Sequence, residues 1–305
     1  MKLVFAGTPP VAVPSLSLLA ASGHEIAAVV TRTDAALGRK RVLTPSPVAA
    51  AAGELGLPVI KANRLDAAAT AAITALDADL GVIVAYGGLV REPLLSAPRL
   101  GWINLHFSLL PRWRGAAPVQ RAIMAGDTST GAAVFQLVAE LDAGAVFAQL
   151  ETPIGRHATA GTLLESLSQS GAALLLQVVD ALEAGTALAV PQAGEVTLAP
   201  KLTLDDARID WSLPADTVHA IIRGVTPEPG AFTEIAGSRL KLHDVAATHG
   251  HSGQTAGHIT EIDKKVLIGT GTAPLELINV QPAGKTPMKA IDWWRGVAAT
   301  EVIAS

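Results

Sequence analysis

The chain has 305 residues, half of them hydrophobic and 16% charged, with a formal net charge of −4 and no cysteine. That composition supports one large core or two ordinary ones and excludes global disorder. It also excludes disulfides, thiolate metal sites and a cysteine nucleophile; because the chain is no polycation, any nucleic-acid contact has to come from a local patch.

Residues 2–6 form a short β-type run that Gly7, Thr8, Pro9 and Pro10 turn, and residues 11–21 read as a helix ending at Ser22 and Gly23. With a strand at 25–30 this makes a strand–helix–strand unit, the building block of a parallel sheet. The turn interrupts the apolar start before a signal-peptide core of about 7–15 residues is complete. No apolar run approaches the roughly 20 residues of a membrane span. The expected protein is cytoplasmic, monomeric and free of the membrane. A single glycine in the first turn gives no G-x-G-x-x-G, and no Walker-type phosphate loop occurs.

Residues 31–47 are too long for an ordinary strand-to-helix connection of about 2–6 residues. They carry Arg32, Arg39, Lys40 and Arg41 among Gly38, Pro45 and Pro47, and such a basic run reads equally as a solvated loop or as a functional one. Then come a helix at 48–55, a strand at 59–61, a helix at 67–76, a strand at 80–86, a short helix at 89–97, and the apolar run Leu100, Gly101, Trp102, Ile103. The last continues as a strand through Asn104, Leu105 and His106. Alternation places Trp102, Asn104 and His106 on one face and Ile103 and Leu105 on the other. A buried amide and imidazole side by side need partners, or each costs about 1–3 kcal/mol, and open α/β sheets bind ligands in a crevice at the carboxyl ends of their strands. Asn104 and His106 are expected to project into that crevice.

A helix at 118–125 and a strand at 132–138 follow. Asp142 lies just past that strand, about one crossover after His106, and a parallel, right-handed connection would bring it to the same rim. A strand at 146–152 and a long amphipathic helix at 162–184 complete this part. Pro191, Gly194 and Pro200 mark a linker. Beyond it a helix at 218–222, a turn at 227–230 and strands at 231–235, 239–245, 257–262, 266–269 and 275–280 suggest a small β-barrel. His249, His251 and His258 lack acidic or thiol partners at a fitting spacing, so a polar loop is favoured over a metal site. No metal is expected.

An amide, an imidazole and a carboxylate in one crevice can polarise a carbonyl, stabilise an oxyanion and move a proton. Ser108 has no nucleophile-elbow setting. The set therefore suits direct acyl transfer between two bound substrates. Each residue also has a plainer reading: His106 as a satisfied core histidine, Asp142 as a turn residue before Gly144, and residues 109–111 as a buried loop.

The sequence further resembles the 10-formyltetrahydrofolate-dependent formyltransferases, and among them the methionyl-tRNA formyltransferases. The resemblance rests on FAGTP at 5–9, PSPV at 45–48, NLHFSLLPRWRGAAPVQ at 104–120 and LDAG at 141–144, with KLTLDDARIDWS at 201–212 and LINVQPAGKTPM at 277–288. It implies an α/β fold with a Rossmann-like, mostly parallel sheet covered by helices on both faces (1–190), a linker (191–206) and an OB-like C-terminal β-barrel that binds tRNA (207–305). The implied reaction moves a formyl group from 10-formyltetrahydrofolate to the α-amino group of initiator methionyl-tRNA. Asn104 and His106 would polarise the formyl oxygen. Asp142 would hold His106 and help move protons off the amine. Ser108, Leu109, Leu110 and Pro111 would line the folate site, and Arg39, Lys40 and Arg41 would lie against the acceptor end of the tRNA. Phe107 departs from the small residue many relatives carry there. The competing reading is a relative that formylates a small amine such as an amino-sugar nucleotide, or that hydrolyses formyl-folate.

Overall fold

The apolar runs near the N-terminus become the adjacent parallel strands β1 (Lys2–Gly7) and β2 (Glu25–Thr31). They are joined through a single 3-10 turn at Pro10–Ala12 and helix α1 (Val13–Ala20). The computed structural model describes residues 1–38, 40–248, 253–297 and 302–305. It divides into two units. One comprises Met1–Pro118, Ser129–Pro153 and Leu164–Ala199, and the other Val119–Thr128, Ile154–Leu163 and Pro200–Ser305.

In the first unit the strands β3 (Val59–Lys61), β4 (Leu80–Val84), β5 (Trp102–His106), β6 (Ser129–Gln136) and β7 (Val146–Pro153) join β1 and β2 in one sheet. Its order is β7-β6-β5-β4-β1-β2-β3. The five strands from β5 to β3 are parallel. β6 runs antiparallel to both β5 and β7, so the expected parallel crossover between β5 and β6 does not occur.

Helices α2 (Pro47–Glu54) and α3 (Ala67–Thr74) start where a side chain accepts a free backbone donor. Ser46 Oγ takes the Ala49 N–H at the start of α2, and Asp66 takes that of Ala69 at the start of α3. One sheet face buries Val4, Ala6, Val30, Ile83 and Trp102 with Ile73 of α3. The opposite face meets the long helix α5 (Ala160–Glu183), where Gly171 lies against Leu105 and Ala132. The parallel strands β1, β2, β4 and β5 are buried almost continuously, as double coverage requires, while the edge strand β3 is only half-buried.

Two sequence expectations change. Residues 89–97 form turns rather than a helix; Pro93 interrupts the segment and supplies no amide donor. Residues 31–47 are no open loop: Ala35–Leu37 and Val42–Thr44 pair as an antiparallel hairpin. Lys40 and Arg41 lie exposed at its end, while Arg39 lies outside the described residues.

Gly81 of β4 pairs with Trp102 of β5. A Cβ on Gly81 would lie 2.1 Å from the Trp102 ring. The buried indole cannot swing away, because its Nε1 donates to the Leu94 carbonyl at 2.8 Å. Gly81→Ala is expected to cost at least about 1–3 kcal/mol of stability, read as a lower denaturation midpoint by circular dichroism; an unchanged midpoint would show that the indole relocates freely.

The second unit is built on an antiparallel sheet of β8 (Phe232–Ile235), β9 (Ser238–Ala247), β10 (His258–Ile262), β11 (Lys265–Ile268), β12 (Leu275–Pro282) and β13 (Val302–Ile303). Its order is β8-β9-β12-β11-β10-β13. The outermost strands meet: Ile235 bridges Ala304, and Glu234 and Ser305 exchange backbone hydrogen bonds of 2.9 Å in both directions. The core gathers Phe232, Leu242, Ile259 and Leu277 with Val218 and Ile222 of α6 (Ala215–Gly224) and Trp294 of α7 (Ala290–Arg295). Met124, from the end of α4 (Pro118–Met124), packs on the same core.

No helix among the described residues is long and apolar enough to cross a membrane, and no three His, Asp or Glu side chains among them are arranged to hold a metal ion. His249 and His251 lie outside the described residues.

Candidate active site

β5 ends on His106, and Asn104 shares its face of the sheet. Their partners across β6 are Ala133 and Phe135, and the Phe135 ring meets the imidazole edge-on at 6.3 Å. His106 is 6% exposed. Its Nε2 lies 2.8 Å from the Trp113 carbonyl oxygen. A carbonyl only accepts, so Nε2 carries a proton and donates it. In the neutral ring Nδ1 is therefore the free, basic nitrogen. It faces Asp142 Oδ2 at 3.8 Å. Burial holds the His106 pKa below the ordinary imidazole value, against the opposing charge of Asp142 and the Trp113 hydrogen bond. The resting imidazole is thus neutral and ready to take a proton on the nitrogen that faces a carboxylate.

Asn104 Oδ1 is buried and has no hydrogen-bond partner. A buried acceptor left unpaired costs about 1–3 kcal/mol, a penalty that a ligand N–H would relieve. That oxygen belongs to the same strand face as His106.

Asp142 reaches His106 by a route that sequence reasoning did not foresee. Since β6 is antiparallel, its carboxyl end lies beside the start of β5: Gln136 pairs with Ile103, and the Leu137 N–H donates to the Trp102 carbonyl. Residues 137–145 then return along the sheet, and Gln136 and Ala145 close that excursion with a 2.9 Å backbone bond. Asp142 adopts φ +45°. Only glycine fits two residues later, because a Cβ on Gly144 would stand 1.7 Å from the Gln136 carbonyl oxygen.

The loop after β5 supplies the opposite wall. Ser108 is fully buried, and its hydroxyl donates to the Arg112 carbonyl at 2.7 Å, so it braces the loop and points no free hydroxyl outward. Leu110 packs on Ala133 and Phe135, and its carbonyl accepts from Gln149 Nε2 at 3.0 Å. Leu109 is half-buried over Gly131, and Pro111 and Phe107 are buried. Trp113 takes φ +61° and is anchored by its N–H to Thr197 Oγ1 at 2.9 Å. Gly115 donates its N–H to Asp142 Oδ2 at 2.8 Å. At φ +124°, any Cβ there would sit 2.7 Å from the Ala199 carbonyl oxygen.

Asn104, His106 and Asp142 therefore come together, and the 108–111 segment adjoins them. Lys40 and Arg41 sit on the separate hairpin. Sequence reasoning missed the contribution of residues 192–199. Flanked by Pro191 and Pro200 and holding Gly194, they read as a linker, yet Leu198–Ala199 pairs in parallel with Arg114–Gly115, and Gln192 hydrogen-bonds both site loops.

Known proteins match over nearly the whole length. A formyl transferase family model matches residues 1–179, and a model of the formyl transferase C-terminal domain matches residues 201–298. A methionyl-tRNA formyltransferase of Clavibacter sepedonicus is 64% identical over 304 residues, covering 100% of both chains. One from Leifsonia xyli subsp. xyli is 60% identical over the same length with the same coverage. In fold the chain is similar to an N-formyltransferase of Helicobacter canadensis solved with folinic acid and dTDP-3-aminofucose. That likeness has a TM-score of 0.70 at 18% identity, covering 91% of this chain and 99% of the other.

Proposed function

From the premise that this chain belongs to the formyl transferase family, we infer that it transfers a formyl group from 10-formyltetrahydrofolate to the α-amino group of initiator methionyl-tRNA, supporting translation initiation. The observation that carries the chemistry is the buried, unpartnered Asn104 Oδ1 beside a neutral His106 whose free nitrogen faces Asp142. The tRNA acceptor is supported by the full-length relatives named for that reaction.

The formyl donor brings an activated one-carbon unit at the formate oxidation level. Everything else falls to the chain. The Asn104 amide hydrogen-bonds the reacting groups, its oxygen reaching the amine N–H and its nitrogen the formyl oxygen, where negative charge develops. His106 Nδ1 takes the proton the amine loses on attack and returns it to N10 of the folate as the bond from that nitrogen to the formyl carbon breaks. The resulting imidazolium lies between the Asp142 carboxylate and the Trp113 carbonyl, both of which favour its charged form. Leu109, Leu110 and Pro111 offer an apolar edge for the pterin. Ser108 supports that edge from behind, and the backbone of residues 108–111 reads the ring's polar rim.

The same reading assigns residues 1–190 to catalysis and 207–305 to tRNA; of the 191–206 connection, residues 192–199 serve the catalytic part, where Leu198–Ala199 pairs with Arg114–Gly115. It places the protein in the cytoplasm as a monomer. The exposed hairpin supplies Lys40 and Arg41, with Arg39 between its strands in sequence, to phosphates at the acceptor end. Replacing all three by alanine is expected to raise KM for the tRNA at least about tenfold and to flatten its salt dependence, since each lost phosphate contact removes roughly one unit of slope. KM for the formyl donor should hold. Equal damage to both would assign the hairpin to folding.

The reaction itself is tested by supplying 10-formyltetrahydrofolate with either initiator methionyl-tRNA or an amino-sugar nucleotide. Turnover with the tRNA is expected. Appreciable turnover with the sugar alone would overturn the acceptor assignment.

A further inference from the structure

Asp142 and the loop after β5 are joined by a residue outside both. Gln192 Nε2 donates to the Asp142 carbonyl at 2.7 Å and to the Gly144 carbonyl at 2.9 Å. Its Oε1 accepts from Arg114 Nε at 3.1 Å and Nη2 at 2.6 Å. The orientation of the amide is thereby fixed, because carbonyls only accept and a guanidinium only donates. All four hydrogen bonds are met in one sense of the side chain, and swapping oxygen and nitrogen would break every one.

The placement of these bonds matters more than their number. Arg114 stands between Trp113, whose carbonyl holds His106 Nε2, and Gly115, whose N–H holds Asp142 Oδ2. Gln192 grips the backbone on either side of Ala143, directly after Asp142, which adopts φ +45°. One amide thus ties together the two loops that carry the two partners of the imidazole. We propose that Gln192, oriented by Arg114, is a positioning residue for formyl transfer: it holds the 142–144 turn so that the Asp142 carboxylate stays against His106 Nδ1.

This proposal rests on the formyl-transfer reading for its kinetic consequence, though not for its structural one. Without Gln192 the turn relaxes from its left-handed conformation and the carboxylate withdraws. His106 then loses the neighbouring charge that favours its protonated form and titrates at lower pH than in the parent protein. The imidazolium formed during the reaction loses the same support. A displacement of about 1 Å between reacting groups can cost a factor of about 100.

The test uses the full chain, with Gln192→Ala and Gln192→Glu. The second substitution is nearly isosteric; its carboxylate keeps an acceptor for Arg114 and sets an oxygen against the two carbonyls. The His106 ring protons are followed by NMR against pH in the resting protein, and kcat and KM are measured with 10-formyltetrahydrofolate and initiator methionyl-tRNA. Expected for Gln192→Ala are a His106 titration moved to lower pH and a kcat lowered by about 10–100-fold, with both KM values near those of the parent. An unchanged titration together with unchanged kcat overturns the proposal, as does a loss confined to KM. If Gln192→Ala does not fold, Gln192→Glu decides: parent-like kcat and titration there also overturn it. The NMR readout needs no turnover. A parent protein that fails to formylate methionyl-tRNA would therefore refute the acceptor assignment while leaving the positioning role to be judged on His106 alone.

Discussion

Asp142→Asn is expected to lower kcat for formyl transfer by about two to four orders of magnitude, the range that general acid–base groups contribute. That corresponds to about 3–5 kcal/mol of transition-state stabilisation. The substitution is nearly isosteric, and the new amide oxygen can still accept the Gly115 N–H that Asp142 Oδ2 holds at 2.8 Å. The turn and the fold should survive. What disappears is the charge 3.8 Å from His106 Nδ1. His106 is buried, and desolvation already pushes its pKa down; with the carboxylate gone, only the Trp113 carbonyl opposes that push. A proton arriving from the amine would then sit on a buried imidazole with no opposite charge beside it. In the parent enzyme the neutral, active imidazole should persist below the ordinary histidine pKa near 6.5, so the rate should hold to mildly acid pH and fall only beneath it. Single-turnover formylation across pH, beside a tRNA-binding measurement, checks the argument. Parent-like turnover by the variant would remove Asp142 from the chemistry.

The next largest effect is expected from Asn104→Ala, about 100–1,000-fold in kcat, by analogy with the loss of one donor from an oxyanion hole. This variant separates the catalytic from the structural account of the residue. A buried acceptor without a partner is a liability in the resting protein, and Asn104 Oδ1 is one. Its removal should leave stability unchanged or slightly raised. Activity and stability would then move in opposite directions, as expected when a site keeps a strained polar group for a ligand. Denaturant titration alongside the rate measurement reads both. A variant that loses stability and activity in proportion would show that Asn104 serves the core.

The alternation of residues 102–106 was enough to place Asn104 and His106 on one face, because side-chain direction in a strand follows from a period of two. The direction of β6 was not legible. Hydrophobic pattern reports burial and is blind to polarity, and the 22 residues between β5 and β6 (107–128), with a helix among them, are ample for a parallel crossover. Most of that helix instead serves the second unit, where Met124 packs against Gly224. Asp142 was nonetheless assigned to the right neighbourhood, because the 137–145 excursion doubles back. Gln192 carried no signal at all. A single amide in a stretch marked by Pro191, Gly194 and Pro200 looks like solvent-exposed linker, and its four hydrogen bonds exist only once distant loops have been brought beside it.

The meeting of Ile235 with Ala304 makes the last few residues of the chain a fastener. Val302 and Ile303 cover the free side of β10, and Ala304 and Ser305 cover that of β8. Clipping these four residues would strip two β-edges at once while removing little of the core. Open edges invite pairing with other chains, so the shortened protein would be recognised first by its tendency to self-associate, well before any loss of chemistry at the formyl-transfer residues.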